Sequence, residues 1–148
     1  MLKTTCQPPF ADDFFGDRFS LENLPLPRRA KGYAVQFVRG DMACETFCQQ
    51  LVAAAARQWQ RLDYLVNNAF SFTAKGLKAS RADWERTMNA GPVAYATMAQ
   101  LMLPHMQQQG KGAIVNMASI SAHIAQPDRW TYNAAKGAVA QLTRCMAL

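Results

Sequence analysis

An α/β fold, a parallel sheet flanked by helices, is what this sequence predicts, and three observations predict it. From Gly32 onward, short apolar runs of strand length alternate with longer stretches whose apolar residues recur at helical spacing. The resulting order, β-α-β-α-β-α, is that of a parallel sheet with crossover helices. Asp41, Asn68 and Ser119 each fall just past the carboxyl end of an expected strand, where sheets of this kind place their ligands.

The elements follow in order. Residues 1–30 form an irregular N-terminal arm: they carry four of the seven prolines, and Phe10, Phe14, Phe15 and Phe19 lack a sustained period. Residues 31–148 form the α/β domain. Tyr33–Val38 is the first strand, closed by Arg-Gly-Asp. Residues 42–60 predict a helix, with Phe47, Leu51, Ala54 and Ala55 on one face. Leu62–Val66 is a second, buried strand, ending in Asn67-Asn68-Ala69. Ser80 is an N-cap, and Asp83 sits in the first turn where the helix dipole favours it. The helix of residues 81–109 carries a stripe of Trp84, Met88, Tyr95, Met98, Met102 and Met106, read as core or subunit interface. Gly91 and Pro92 should bend it midway. Ala113–Met117 is the third strand, and Thr131–Leu148 the last helix.

Composition narrows the function. A chain of 148 residues makes one domain with a real core, and half of its residues are apolar with 18% charged. The net charge of +6 comes from scattered residues. Its densest group, Arg28, Arg29 and Lys31, has no flanking aromatic platform for bases, so no nucleic-acid partner is expected. No run approaches the roughly 18 apolar residues of a membrane span, and the N-terminus does not resemble a signal peptide; a cytoplasmic protein is expected. Cys6, Cys44, Cys48 and Cys145 lack the paired spacing of zinc ligands and are read as thiols, with no metal site.

Tyr132 and Lys136 open the last helix four residues apart, and therefore on one face. An ammonium beside a phenol favours its ionised form. Such help matters, because tyrosine ordinarily titrates near 10, too high for efficient proton transfer at neutral pH. Ser119, thirteen residues before the tyrosine, could hold a substrate oxygen. Alone, Tyr-x-x-x-Lys could equally decorate a helix surface. Together with the strand that precedes it, Gly112–Lys136 (GAIVNMASISAHIAQPDRWTYNAAK) resembles the active-site segment of the short-chain dehydrogenase/reductase family. Leu62–Ala69, with Asn-Asn-Ala, resembles that family's Asn-Asn-Ala-Gly motif, and Asp41 resembles its adenine-contacting aspartate.

The resemblance covers about Gly32–Leu148 and implies a partial Rossmann-like, doubly wound sheet. It implies an oxidoreductase that interconverts an alcohol and a carbonyl on a small molecule, with NAD or NADP as cofactor. Tyr132 would be the proton donor or acceptor, Ser119 would orient the oxygen, and Lys136 would hold the nicotinamide ribose. Asp41, Met42, Asn68, Ala69, Phe70 and Met117, with Tyr132 and Lys136, would line the cofactor. Helices 81–109 and 131–148 resemble the pair that builds dimer interfaces in this family, so a homo-oligomer is expected.

The sequence also departs from the pattern. No Gly-x-Gly occurs before Gly110, so the glycine turn that lets backbone approach a pyrophosphate has no counterpart. Gly91 stands where the family has an asparagine, and Phe70 where it has the last glycine of Asn-Asn-Ala-Gly. The family's first two strands and those beyond Leu148 find no match either. This predicts a hole in the sheet, or pairing of strands that are not neighbours in the family. The alternative reading is a truncated, non-catalytic fragment acting at most as a binding or oligomerisation module. The spacer's His123, Gln126, Arg129 and Trp130 suit a polar or hydroxylated substrate.

Overall fold

The computed structural model describes Gln36 and residues 38–148. The chain divides into two compact units, Met1–Gly40 and Asp41–Leu148. Of the first unit, Gln36 and residues 38–40 are described and carry no helix or strand. The expected arm and almost all of the expected strand Tyr33–Val38 lie outside the described residues.

The second unit runs α1 (Glu45–Trp59), β1 (Tyr64–Asn67), α2 (Arg81–Met88), a π-helical segment (Asn89–Val93), α3 (Ala94–Gln108), β2 (Ala113–Asn116), a 3-10 turn (Ile120–Ala122) and α4 (Trp130–Met146). Each helix and strand expected after Gly40 is present, with ends displaced by at most three residues. β1 and β2 pair in parallel, Tyr64 opposite Ala113 through Asn67 opposite Asn116.

Local chemistry explains where α2 starts and where the long helix bends. The Ser80 hydroxyl accepts from the Asp83 N–H, and the Asp83 carboxylate accepts from the Ser80 N–H, a reciprocal capping box. At the bend, Gly91 has non-helical dihedrals (φ −116°, ψ −111°) and Pro92 follows. Proline lacks an N–H to donate, and its ring crowds the preceding turn, so the regular ladder cannot run through it.

The core lies where α1 and α3 meet the sheet. Cys48 and Val52 of α1 and Leu62 and Leu65 of the first strand region pack with Met98, Ala99, Met102 and Met106 of α3. Of the expected stripe, Tyr95, Met98, Met102 and Met106 are buried, each contributing roughly 2 kcal/mol of transfer free energy, whereas Trp84 and Met88 are half-buried. The Gln109 side chain reaches back to Leu62, accepting from its N–H at 2.7 Å and donating to its carbonyl at 3.1 Å. It thus ends the helix and fixes the entry to β1 together. The strands are buried on one face only: Leu65 is inside, whereas Tyr64 and Val66 are exposed. Cys48 is a buried free thiol and Cys145 an exposed one, while Cys44 is disulfide-bonded rather than the expected thiol.

Candidate active site

Parallel pairing brings the carboxyl ends of β1 and β2 side by side, and Met117 N–H donates to the Asn67 carbonyl at 2.9 Å. Asn67 is buried, its amide donating to the Asn116 side chain and to the Tyr95 carbonyl. These bonds anchor the loop that begins at Asn68.

That loop is tied to the start of α4. Thr131, fully buried, donates its hydroxyl to the Thr73 carbonyl and accepts from the Lys75 N–H; its own N–H donates to the Lys75 carbonyl. As a result Tyr132 emerges beside two loop aromatics. Phe70 stands edge-on to it with centroids 5.5 Å apart, and Phe72 lies tilted at 4.9 Å. The Tyr132 hydroxyl makes no hydrogen bond among the described residues, and so is available.

Lys136 is buried, and its ammonium donates to the Met117 carbonyl at 2.7 Å. It lies 5.9 Å from the Tyr132 ring centroid and only 3.8 Å from that of Phe70. Burial pushes its pKa below the ordinary lysine value. Ser119 closes the strand end as expected, but its hydroxyl is engaged with Ser121, donating to Oγ and accepting from N–H, each at 3.2 Å. The structure thus brings Tyr132, Lys136, Phe70 and Met117 together, and leaves Ser119 bonded within its own turn.

Met42, Asn68 and Ala69 meet elsewhere, in the lining of a cavity of about 230 Å³. Tyr95 lines it too; its buried hydroxyl has no hydrogen-bond partner among the described residues, and burial, then the charge of Tyr132, push its pKa up. Asp41 caps the following turn, accepting from the Ala43 N–H at 2.9 Å. No group of acidic, histidine or cysteine side chains among the described residues could hold a metal ion. Nor is any described helix long and apolar enough to cross a membrane. Sequence reasoning missed Thr131 and Phe72. The one available signal was their proximity to Tyr132 and Phe70 in sequence, which does not reveal the loop-to-helix bonds.

Comparison with known proteins gives the family. The family model for short chain dehydrogenase matches residues 22–148. The chain is similar to 2-(R)-hydroxypropyl-CoM dehydrogenase of Xanthobacter autotrophicus, 36% identical over 146 aligned positions that cover 90% of this chain and 58% of that protein. It is 38% identical over 129 positions to gluconate 5-dehydrogenase of Gluconobacter oxydans, covering 86% and 50%. Among solved structures it resembles a short chain dehydrogenase/reductase from Burkholderia phymatum in complex with NAD. The TM-score is 0.76 at 31% identity, over 80% of this chain and 43% of that one. The chain spans about half the length of the curated relatives it matches. NAD or NADP is the cofactor of this family. On the family match, which takes in most of its residues, the chain belongs to the short-chain dehydrogenases.

Proposed function

We propose that this chain carries the proton-transfer half of an NAD(P)-dependent oxidoreductase that interconverts an alcohol and a carbonyl. The observation that carries the reading is the Lys136 ammonium, fixed on the Met117 carbonyl at the end of β2 and 5.9 Å from the ring of a tyrosine whose hydroxyl is free.

In reduction, the Tyr132 hydroxyl gives its proton to the carbonyl oxygen of the substrate; in oxidation, its oxygen takes the proton of the alcohol. The Lys136 ammonium favours the negative charge that develops on the phenol oxygen. Ser119 turns its proton from Ser121 to the substrate oxygen. Hydride transfer, the chemistry that no side chain provides, would be supplied by a nicotinamide cofactor when bound.

The residues present suit parts of that cofactor. Met42, Asn68 and Ala69 wall a cavity of about 230 Å³, below the roughly 300–1,000 Å³ of pockets for drug-sized ligands and therefore sized for a fragment of a dinucleotide. Lys136 and Tyr132 offer polar atoms for the nicotinamide ribose. For the pyrophosphate, these 148 residues hold no Gly-x-Gly before Gly110.

A polar, anionic substrate is the class we favour. The Arg129 guanidinium stacks 5.9 Å from the Phe72 centroid, next to Tyr132, and pairs with no carboxylate among the described residues. The gluconate dehydrogenase relative acts, by its name, on such a hydroxy acid. Self-association through the helices of residues 81–109 and 131–148 also belongs to this proposal, since Val93, Leu103 and Trp130 are exposed.

The test joins this chain to the glycine-turn and C-terminal segments of a full-length relative. The chimera should bind NAD(H) and turn over a hydroxy acid. Tyr132→Phe should lower turnover at least a hundredfold while leaving cofactor affinity within about threefold. Equal loss of binding in that variant would remove Tyr132 from the proton step.

A further inference from the structure

Phe70 and Gly91 are 21 positions apart, and sequence alone treats them as two separate oddities. The structure makes them one feature. A Cβ built on Gly91 would stand 2.6 Å from Cε2 of Phe70 and 3.2 Å from Cδ2 and Cζ. The ring therefore occupies space that any other residue at 91 would fill. That space exists because the helix opens at Gly91, buried in the π-helical segment.

The seated ring touches both members of the reactive pair. Its face lies 3.8 Å from the Lys136 nitrogen, well inside the range of about 6 Å at which a ring quadrupole attracts a cation. Its edge geometry with Tyr132 is T-shaped, at 84°. Lys136 has four flexible methylenes, and one hydrogen bond to Met117 does not fix them alone. No carboxylate pairs with it among the described residues, and Tyr132 is the titratable side chain beside it. The buried ammonium is thus held between a carbonyl oxygen and a π face.

We propose that Phe70, seated in the notch left by Gly91, is a positioning residue that holds the Lys136 ammonium against the Met117 carbonyl and beside Tyr132. What the pair does rests on the function proposed above; the positioning itself does not.

The experiment is NMR of the full 148-residue chain with labelled lysine. In the wild type, the Lys136 Cε and Hε signals should lie upfield of the other lysines, displaced by the Phe70 ring current. Phe70→Leu keeps the cover but removes the π face. It should return those signals to ordinary lysine positions and lower the amine's titration midpoint by about 0.5–1 pH unit, because the cation loses a partner while staying buried. Gly91→Ala should move the Lys136 signals the same way by unseating the ring, and the double variant should match Phe70→Leu alone. Wild-type signals at ordinary positions overturn the proposal, and this outcome needs no variant to fold. An unchanged or raised midpoint in folded Phe70→Leu overturns it as well. Since nothing here reads turnover, an inactive chimera with a displaced Lys136 signal would sink the oxidoreductase reading and leave this one standing.

Discussion

At the scale of single residues, the clearest charge effect lies outside the reactive pair. Asp83 accepts from the Ser80 hydroxyl and N–H and from the Lys75 ammonium, and these bonds, the Ser80 hydroxyl foremost, hold its pKa down to about 2. A carboxylate whose folded pKa is depressed stabilises the fold above its unfolded value near 3.9 and loses that contribution as pH falls towards the folded value. The thermal midpoint should accordingly drop between about pH 4 and pH 2, and drop less over that window in Asp83→Asn. Identical slopes for the two proteins would show that Asp83 titrates without linkage to folding. The cap was legible in advance because capping is local: Ser80 as N-cap and Asp83 in the first turn were expected, while their reciprocal bonding and the Lys75 partner were not. The partners of Lys136 were not legible. The Met117 carbonyl and the Phe70 face reach it across 19 and 66 residues, through a crossover and a bonded loop that leave no mark in local spacing.

At the scale of elements, helix α3 and strand β1 depend on each other through one side chain. Gln109 satisfies both the N–H and the carbonyl of buried Leu62, just before the strand begins. Gln109→Ala should cost about 1–3 kcal/mol, because it strands a donor and an acceptor; chemical denaturation would measure it. A cost below about 0.5 kcal/mol would mean that water replaces the amide freely. Periodicity and turn chemistry foretold each α-helix and strand after Gly40, and the bend at Gly91 and Pro92, where glycine and proline act together, whereas Pro104 sits inside α3 without breaking it. They did not foretell the π-helical form of that bend, nor the one-sided burial of the sheet. An apolar run such as Tyr64–Val66 reads as buried on both faces, yet Tyr64 and Val66 are exposed. Hydrophobicity states a preference for cover and not whether cover is at hand.

At the scale of the whole molecule, the chain joins the corner proposed for proton transfer to part of a proposed cofactor site. The parallel pair β1–β2 and helix α4 account for Tyr132, Lys136 and Met117, and the motifs that lay contiguous in sequence pointed to that corner. The expected strand Tyr33–Val38 falls almost wholly outside the described residues. Cofactor affinity follows from elementary charge. A pyrophosphate carries two negative charges, and backbone N–H groups at a helix N-terminus are the usual replacement for its water. Without a glycine turn to admit such an approach, contacts worth ~4 kcal/mol are lost, the equivalent of a few charge-assisted hydrogen bonds. At 1.4 kcal/mol per factor of ten, that weakens a micromolar site by about a thousandfold. The 148-residue polypeptide by itself should therefore bind NADH with a dissociation constant near the millimolar range. Fluorescence of the bound nucleotide or isothermal titration reads this directly. A constant of about 10 μM or tighter would mean that other residues of this chain supply the pyrophosphate contacts, and that the glycine turn is dispensable here.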